Sequence, residues 1–208
     1  MPGASPFTEM IHAIILAAGE SRRMGKQKML LPYGGKTVIE HVVTQVLQCG
    51  VDGITVVLGH DAREIAAKLT PLPVQRVVND EYAVGMITSV RHGLETVPPE
   101  TGAALIVLGD QPDITPAVVA QLIAGFRRAG KGIVVPLFEG RRGHPILVST
   151  NYRDAVMTRY EDTGLRGLLV DNPEDVAEIS VDHPGILEDM DTPKDYAREL
   201  RKLDESAG

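Results

Sequence analysis

Apolar runs alternate with amphipathic stretches along the whole of this 208-residue sequence, and that alternation restricts the fold more than any other feature. The runs are uninterrupted and rich in Val, Ile and Leu, which is typical of parallel strands buried on both faces. The repeated strand–helix order therefore predicts an α/β domain with a parallel sheet between two layers of helices. Strands are predicted at residues 11–17, 53–58, 74–78, 103–108, 132–136, 145–148 and 176–181.

Several of the predicted helices have a recognisable first turn. Thr37 and Glu40 have the spacing of a capping box, and Asp61 and Glu64 have a similar spacing. Thr115 and Thr192 are each followed by proline, which favours the first helical position. Helices are predicted at residues 38–49, 62–69, 86–96, 116–129, 152–157, 165–170 and 193–203.

The composition indicates one domain of ordinary size. A hydrophobic content of 43% in 208 residues is enough for a sizeable core, so residues 11–208 are predicted to form a single domain. Residues 1–10 are polar, contain proline and lack the layout of a signal peptide, which predicts a flexible tail. No run of about 18 apolar residues exists, so we expect a cytoplasmic protein without membrane contact. The single cysteine, Cys49, is interpreted as a small buried side chain.

The loop after the first predicted strand concentrates positive charge. The net charge of the whole chain is −7, so these cations run against the general trend. Glycine lets backbone N–H groups approach phosphate oxygens, and Arg and Lys neutralise phosphate charge. The pattern therefore indicates a small polyphosphate ligand rather than nucleic acid, which favours broad basic faces. The loop contains Gly19, Ser21, Arg22, Arg23, Gly25, Lys26 and Lys28.

Two common phosphate-binding motifs do not fit this chain. The dinucleotide fingerprint G-x-G-x-x-G is absent after the first strand, which disfavours a nicotinamide-dependent dehydrogenase. The P-loop is only imitated, because Gly19 and Gly25 are one residue too far apart and Gln27 stands where a hydroxyl is needed. Residues 34–37 have the right ending, but Leu30 occupies the first glycine position. A P-loop NTPase is therefore disfavoured.

A second polar loop, residues 109–112, follows the strand predicted at residues 103–108. Ligands of open α/β sheets bind at the carboxyl ends of the strands, so the two loops are expected to face one cleft. Within the second loop, Asp110 suits Mg²⁺, which prefers one or two carboxylates with phosphate oxygens and water. The alternative is a turn-forming aspartate ahead of Pro112.

Five segments in collinear order resemble the nucleotidyltransferases of the molybdenum cofactor family. The resemblance runs from about Ile11 to Leu203. Within the family, the chain looks most similar to the molybdenum cofactor cytidylyltransferases, which share its Ala-Ala-Gly opening at 17–19. The segments are L-A-A-G-x-S-x-R-M-G-x-x-K at 16–28, N-D-E-Y-A-V-G-M at 79–86 with Ser89, G-D-Q-P at 109–112, residues 136–140 leading into G-H-P at 143–145, and D-x-D-T-P-x-D at 189–195.

The resemblance implies a fold and a reaction. It implies a Rossmann-like three-layer α/β/α domain with a mostly parallel sheet, of the nucleotide-diphospho-sugar transferase type. It also implies Mg²⁺-dependent transfer of a nucleoside monophosphate from an NTP to the terminal phosphate of molybdopterin. The similarity to cytidylyltransferases implies that the NTP is CTP. It further implies that a recipient molybdoenzyme takes up the product. Three alternatives stay open: a GTP-dependent guanylyltransferase, transfer to another phosphorylated small molecule, and a non-catalytic carrier of the cofactor.

The resemblance also assigns roles to residues, one by one. Arg23, Lys28 and Asp110 would be catalytic, with Lys28 nearest the α-phosphate. Asp110 and Asp189 would hold the metal, with Asp191 as the alternative to Asp189, since alternation places both on one side of an extended segment. Gly143 and His144 would bind the acceptor. The nucleotide would contact Leu16, Ala17, Ala18, Gly19, Ser21, Arg23, Lys28, Asn79, Gly85, Ser89 and Gly109.

Overall fold

The computed structural model describes residues 10–206, in which one eight-stranded sheet carries helices on both faces. The predicted tail, residues 1–10, lies outside the described residues except for Met10. The strands are β1 Ile11–Ala17, β2 Pro32–Tyr33, β3 Lys36–Thr37, β4 Gly53–Leu58, β5 Gln75–Val78, β6 Ala103–Leu108, β7 Ile133–Phe138, β8 Arg141–Arg142, β9 Ile146–Ser149 and β10 Val176–Ser180. The helices are α1 Val38–Leu47, α2 Ala62–Lys68, α3 Met86–Glu95, α4 Pro116–Ala129, α5 Arg153–Thr158, α6 Leu165–Asp171 and α7 Pro193–Ser206.

Strand β1 lies at the centre of the sheet, parallel to β4 on one side and to β6 on the other. The strand order is β10-β7-β9-β6-β1-β4-β5, and β8 pairs with β7. Residues of β1 alternate between two cores: Ile15 packs in the core that includes α1, α2 and α4, and Ile14 in the core that includes α3, α5 and α6. The chain therefore has the expected three layers of helix, sheet and helix.

The sheet is mostly parallel, which confirms the fold class that the resemblance implied, and β9 departs from the parallel arrangement. This strand runs antiparallel to both of its neighbours, β6 and β7. The connection from β7 to β9 explains its direction, since a parallel neighbour needs a crossover of about a dozen residues or more, usually with a helix. The short segment between Phe138 and Ile146 carries only β8 and turns back on itself.

The segment that imitates a P-loop ending is a hairpin turn. Gly34 and Gly35 have φ angles of 56° and 77°, and they join the antiparallel strands β2 and β3. Two-residue hairpin turns with positive φ at both positions favour glycine. Thr37 then caps α1, where its side chain accepts from the Glu40 N–H and the Glu40 carboxylate accepts from the Thr37 N–H. The predicted capping box is therefore confirmed.

The other predicted helix starts have mixed outcomes. The side chain of Thr115 accepts from the Val118 N–H at the start of α4, and Thr192 exchanges hydrogen bonds with Asp195 at the start of α7. The expected cap at Asp61 is wrong. Although α2 begins at the next residue, Asp61 has a φ of 54° and makes no side-chain hydrogen bond to the helix. A side-chain cap requires an extended backbone at that position, and this one is left-handed.

Near the start of β1, the buried imidazole of His12 hydrogen-bonds through Nε2 to Thr55 Oγ1 at 2.9 Å. Burial lowers the pKa of His12 below its usual 6.5, and the charge of Asp52 only partly opposes that effect. The folded chain therefore resists protonation of His12, whereas the unfolded chain accepts the proton near the usual pKa. Stability is retained above that pKa and decreases as the pH falls below it.

We expect His12→Gln to lose less stability than the unmodified protein between about pH 7.5 and about pH 5.5, because glutamine does not titrate. The free energy of unfolding, measured by urea denaturation at both pH values, tests this. The matched control is the same substitution at the half-exposed His60. An equal loss of stability in the unmodified protein and in His12→Gln would contradict the prediction.

Among the described residues, none of the helices combines the length and the apolarity needed to cross a bilayer.

Candidate active site

The two polar loops leave neighbouring strands at the same edge of the sheet. Leu16 at the end of β1 is in register with Leu108 at the end of β6, and the Gly109 N–H donates to the Leu16 carbonyl at 2.9 Å. A Cβ at position 109 would lie 2.8 Å from that carbonyl oxygen, so glycine permits this close approach. Register and close packing together bring the loop at residues 19–28 against the loop at residues 109–112.

Lys28 connects the two loops and a third segment. Its Nζ donates to Asp110 and, at 2.9 Å, to Asp191 Oδ1. The lysine side chain is 10% exposed. Burial opposes its positive charge, but the carboxylates of Asp110 and Asp191 outweigh that effect and raise its pKa. Lys28 is therefore a buried, charged ammonium group held between two carboxylates.

The loop from Gly19 to Lys28 is shaped by its own polar side chains. Ser21 has a φ of 56°, its hydroxyl donates to Gln27 Oε1 at 2.9 Å, and it accepts from the Lys28 N–H at 3.0 Å. These contacts fix the backbone from which Lys28 projects. The exposed Arg23 reaches Asp191 Oδ2 at 2.7 Å, whereas Arg22 pairs with Glu20 at 2.6 Å. Arg23 and Lys28 thus converge on the same acidic segment, and Arg22 does not.

That acidic segment contributes two carboxylates in different environments. Asp191 pairs with Lys28 and Arg23, and Asp189 Oδ1 accepts from Gln111 Nε2 at 2.8 Å. Burial and the nearby charge of Asp110 raise the pKa of Asp189, and the bond from Gln111 only partly offsets them. The Met190 N–H donates to the Asp110 carbonyl at 3.0 Å, which holds the segment against the loop.

In the described part of the chain, no three His, Cys, Asp or Glu side chains are placed so that they could hold a metal ion by themselves. Asp110 and Asp189 are nevertheless close enough for their charges to interact. Two partly buried carboxylates that repel each other are suited to a divalent cation whose remaining ligands are phosphate oxygens and water.

Most of the predicted site residues line one cavity of about 390 Å³. A neighbouring cavity of about 280 Å³ is lined by the cationic loop, including Ser21 and Arg23. Ala17 and Asn79 are fully buried. Gly85 comes directly before α3. The predicted residues in the wall of the larger cavity are Leu16, Ala18, Gly19, Lys28, Ser89, Asp110, His144 and Asp189, and Asp191 joins them.

A third cavity, of about 560 Å³, lies beside the 390 Å³ cavity and is mostly apolar. It shares Leu16, Met86 and His144 with the 390 Å³ cavity, and Arg142 and Arg166 also line it. Burial lowers the pKa of His144, and the charge of Asp110 only partly opposes that effect. The backbone of Gly143 packs so closely on Ile186 that a Cβ would lie 2.2 Å from its carbonyl oxygen. His144 therefore stands where the two cavities meet, and Gly143 precedes it in the wall of the larger one.

A cluster of ion pairs on α7 was not anticipated from the sequence. Lys202 contacts Asp113 at 3.2 Å, Glu199 at 3.3 Å and also Glu188. These contacts tie α7 to Asp113, directly after the 109–112 loop, and to Glu188, directly before Asp189. Arg198 lies four residues earlier on the same helix and pairs with Glu199 at 3.0 Å. The i, i+3 spacing of Glu199 and Lys202 puts opposite charges on one face of the helix, and it is a signal in the sequence that could have indicated this surface.

The family profile described as the MobA-like NTP transferase domain matches residues 13–176. The chain belongs to this family. The resemblance to molybdenum cofactor nucleotidyltransferases is thereby confirmed, and the protein is a nucleotidyltransferase with the nucleotide-diphospho-sugar transferase fold.

Two relatives from bacteria are equally similar in sequence. The molybdenum cofactor cytidylyltransferase of Escherichia coli K12 is 30% identical over 187 residues, which cover 89% of this chain and 93% of that protein. The nicotine blue oxidoreductase of Paenarthrobacter nicotinovorans is 30% identical over 197 residues, covering 91% and 96%. Because relatives with such different names are equally similar to this chain, these comparisons leave its substrate open.

A solved structure agrees closely with this one. The Rv0371c protein of Mycobacterium tuberculosis H37Rv has a TM-score of 0.84 and 30% identity, with 92% of this chain and 97% of that chain covered. Its structure in complex with manganese has a TM-score of 0.78, covering 92% and 98%. Manganese therefore occurs in a protein of similar structure.

Proposed function

We propose that this enzyme transfers the cytidylyl group of CTP to the terminal phosphate of molybdopterin, with Mg²⁺ as cofactor and pyrophosphate as the second product. The observation that carries the proposal is the position of Lys28. It lies buried between Asp110 and Asp191, in the wall of both the 280 Å³ and the 390 Å³ cavities. A charged lysine and acidic side chains in one hollow match the needs of a metal–triphosphate. The resemblance to cytidylyltransferases supports CTP and molybdopterin.

The reaction needs positioning more than it needs a base. A phosphate monoester has a second pKa of about 6, so it is largely dianionic at neutral pH and is already a nucleophile. One of its oxygens attacks the α-phosphorus, a new P–O bond forms, and the bond to the bridging oxygen of the pyrophosphate breaks. In this proposal Lys28 stabilises charge at the α-phosphate, and Arg23 binds the outer phosphates.

Asp110 and Asp189 are the residues proposed to hold Mg²⁺. Their mutual repulsion in a partly buried site is relieved by a bound cation, and this effect supports the assignment. When bound, Mg²⁺ supplies positive charge that neutralises the triphosphate. Asp191 is already paired with Lys28 and Arg23, so its proposed role is to orient these two cations.

The 560 Å³ cavity is the proposed site for the body of the acceptor. Its apolar wall suits a ring system, and Arg142 and Arg166 suit an anionic group. This cavity meets the 390 Å³ cavity, the proposed nucleotide site, at His144 and Leu16. A phosphate on an acceptor bound there could therefore reach the α-phosphorus. These features support a phosphorylated small molecule with a ring, as molybdopterin is.

The test is a pyrophosphate-release assay with the protein, Mg²⁺, molybdopterin and each NTP in turn. We expect release with CTP above that with the other nucleotides, and a larger thermal shift with CTP than with GTP. Release with GTP instead would favour the guanylyltransferase alternative. No release above background with any NTP would contradict the proposed function.

A further inference from the structure

The side chain of Asn79 is fully buried, and its orientation is set by the backbone. The N–H of Glu81 donates to Asn79 Oδ1 at 2.8 Å, so the amide nitrogen must face the other way. That nitrogen donates one hydrogen to Thr88 Oγ1 at 2.8 Å and the other to Ser89 Oγ at 2.9 Å. Both hydroxyls are therefore acceptors toward Asn79.

The two hydroxyls differ in where their own hydrogen goes. Thr88 Oγ1 donates to the Gly85 carbonyl at 2.8 Å. Within residues 10–206, the structure gives Ser89 no protein oxygen as acceptor for its hydrogen, although the residue is only 4% exposed and lines the 390 Å³ cavity. A buried hydroxyl whose hydrogen has no partner in the protein is available to donate to a bound ligand.

The position of Ser89 indicates which part of a nucleotide it meets. It lines the 390 Å³ cavity but not the 280 Å³ cavity formed by the cationic loop. Its neighbours in the cavity wall include Tyr82, Met86 and Leu108. This apolar part of the wall suits a base or a ribose, whereas the phosphates belong at the part of the same cavity where Lys28 also borders the 280 Å³ cavity.

We propose that Asn79 is a positioning residue that holds Ser89 as a hydrogen-bond donor to an acceptor atom on the nucleoside part of the bound NTP. This inference rests on the proposed nucleotide site. It changes the expected role of Asn79 from a direct nucleotide contact to an action through Ser89. It also requires a ligand with an acceptor, such as a ring nitrogen, a carbonyl oxygen or a ribose hydroxyl, at that point.

Calorimetric titration with two probes, Mg²⁺·CTP and Mg²⁺·tripolyphosphate, separates the nucleoside contact from the phosphate contacts. Ser89→Ala is expected to bind CTP about fivefold more weakly, the usual effect of losing one neutral hydrogen bond. Its affinity for tripolyphosphate should stay within about twofold of that of the unmodified protein.

Asn79→Asp tests the positioning role, because its carboxylate accepts from Ser89 and turns the serine hydrogen away from the cavity. A similar loss, about fivefold for CTP only, is expected. In the Ser89→Ala background, Asn79→Asp should add no further loss, since the two residues act through one contact. If circular dichroism shows that the buried carboxylate of Asn79→Asp prevents folding, Asn79→Ala takes its place, both alone and in the double variant with Ser89→Ala.

Ser180→Ala and Asn151→Asp make the same chemical changes at exposed positions and are the controls. Unchanged CTP affinity in Ser89→Ala, or an equal loss for both probes, would overturn the inference, and so would additive losses in the double variant. If the unmodified protein binds neither probe, the proposed function itself is contradicted.

Discussion

Asp110→Asn is expected to lower kcat by about 10²- to 10³-fold. Asparagine keeps the size of the side chain and removes its charge, so Lys28 loses one carboxylate partner and retains Asp191. One of the two proposed metal ligands is lost at the same time. Steady-state rates of pyrophosphate release with Mg²⁺, CTP and molybdopterin measure the effect.

The control for Asp110→Asn is Asp204→Asn, which removes a carboxylate from an exposed position on α7. CTP affinity should change much less than kcat, because Arg23 and Lys28 remain. A non-catalytic carrier, in contrast, would show no turnover before the substitution. Unchanged kcat in a folded Asp110→Asn variant would show that this carboxylate has no part in the reaction.

Lys28→Met is the second substitution with a large expected effect, a decrease in kcat/KM of about 10²- to 10³-fold. Methionine preserves much of the apolar volume of the stem but cannot neutralise charge on the α-phosphate. The ammonium group is buried and desolvated, so its interaction with a phosphate is stronger than that of a surface lysine. Rates measured over a range of CTP concentrations give kcat and KM separately.

Lys26→Met is the matched control, since Lys26 lies in the same loop but is exposed. We expect it to retain kcat/KM within about threefold, as is usual for exposed charges. Lys28→Arg should recover part of the activity, because the charge returns with a different shape. If the Lys26 and Lys28 variants were equally impaired, the loop would act through its overall charge and not through Lys28 in particular.

The layers of the fold follow from the sequence, because strand and helix periodicities are local signals. The direction of β9 does not, since it depends on how a short connection turns back after β7. Strands as short as β2, β3 and β8 have no periodicity to detect. The error at Asp61 has a similar cause, because its spacing to Glu64 fits a capping box but its left-handed backbone is visible only in the structure.

The site was predictable where its residues belong to a continuous motif, as with Lys28 and Asp110. Its ion pairs were not, because Lys28 and Asp191 are far apart in the chain and meet only after folding. The same holds for Lys202 and Asp113. The sequence could indicate that Asp189 and Asp191 lie on one side of a segment, but not which of them would pair with the lysine.

The ion pairs of Lys202 join the last helix to the two segments that carry the proposed metal ligands. The family profile ends at residue 176, before Asp189, Asp191 and the whole of α7. A shortened protein cut at that boundary would keep the cationic loop but lose one proposed metal ligand and the anchor of the segment that carries it. Fragments for biophysical work, and any fusion at the C-terminus, should therefore leave this helix intact.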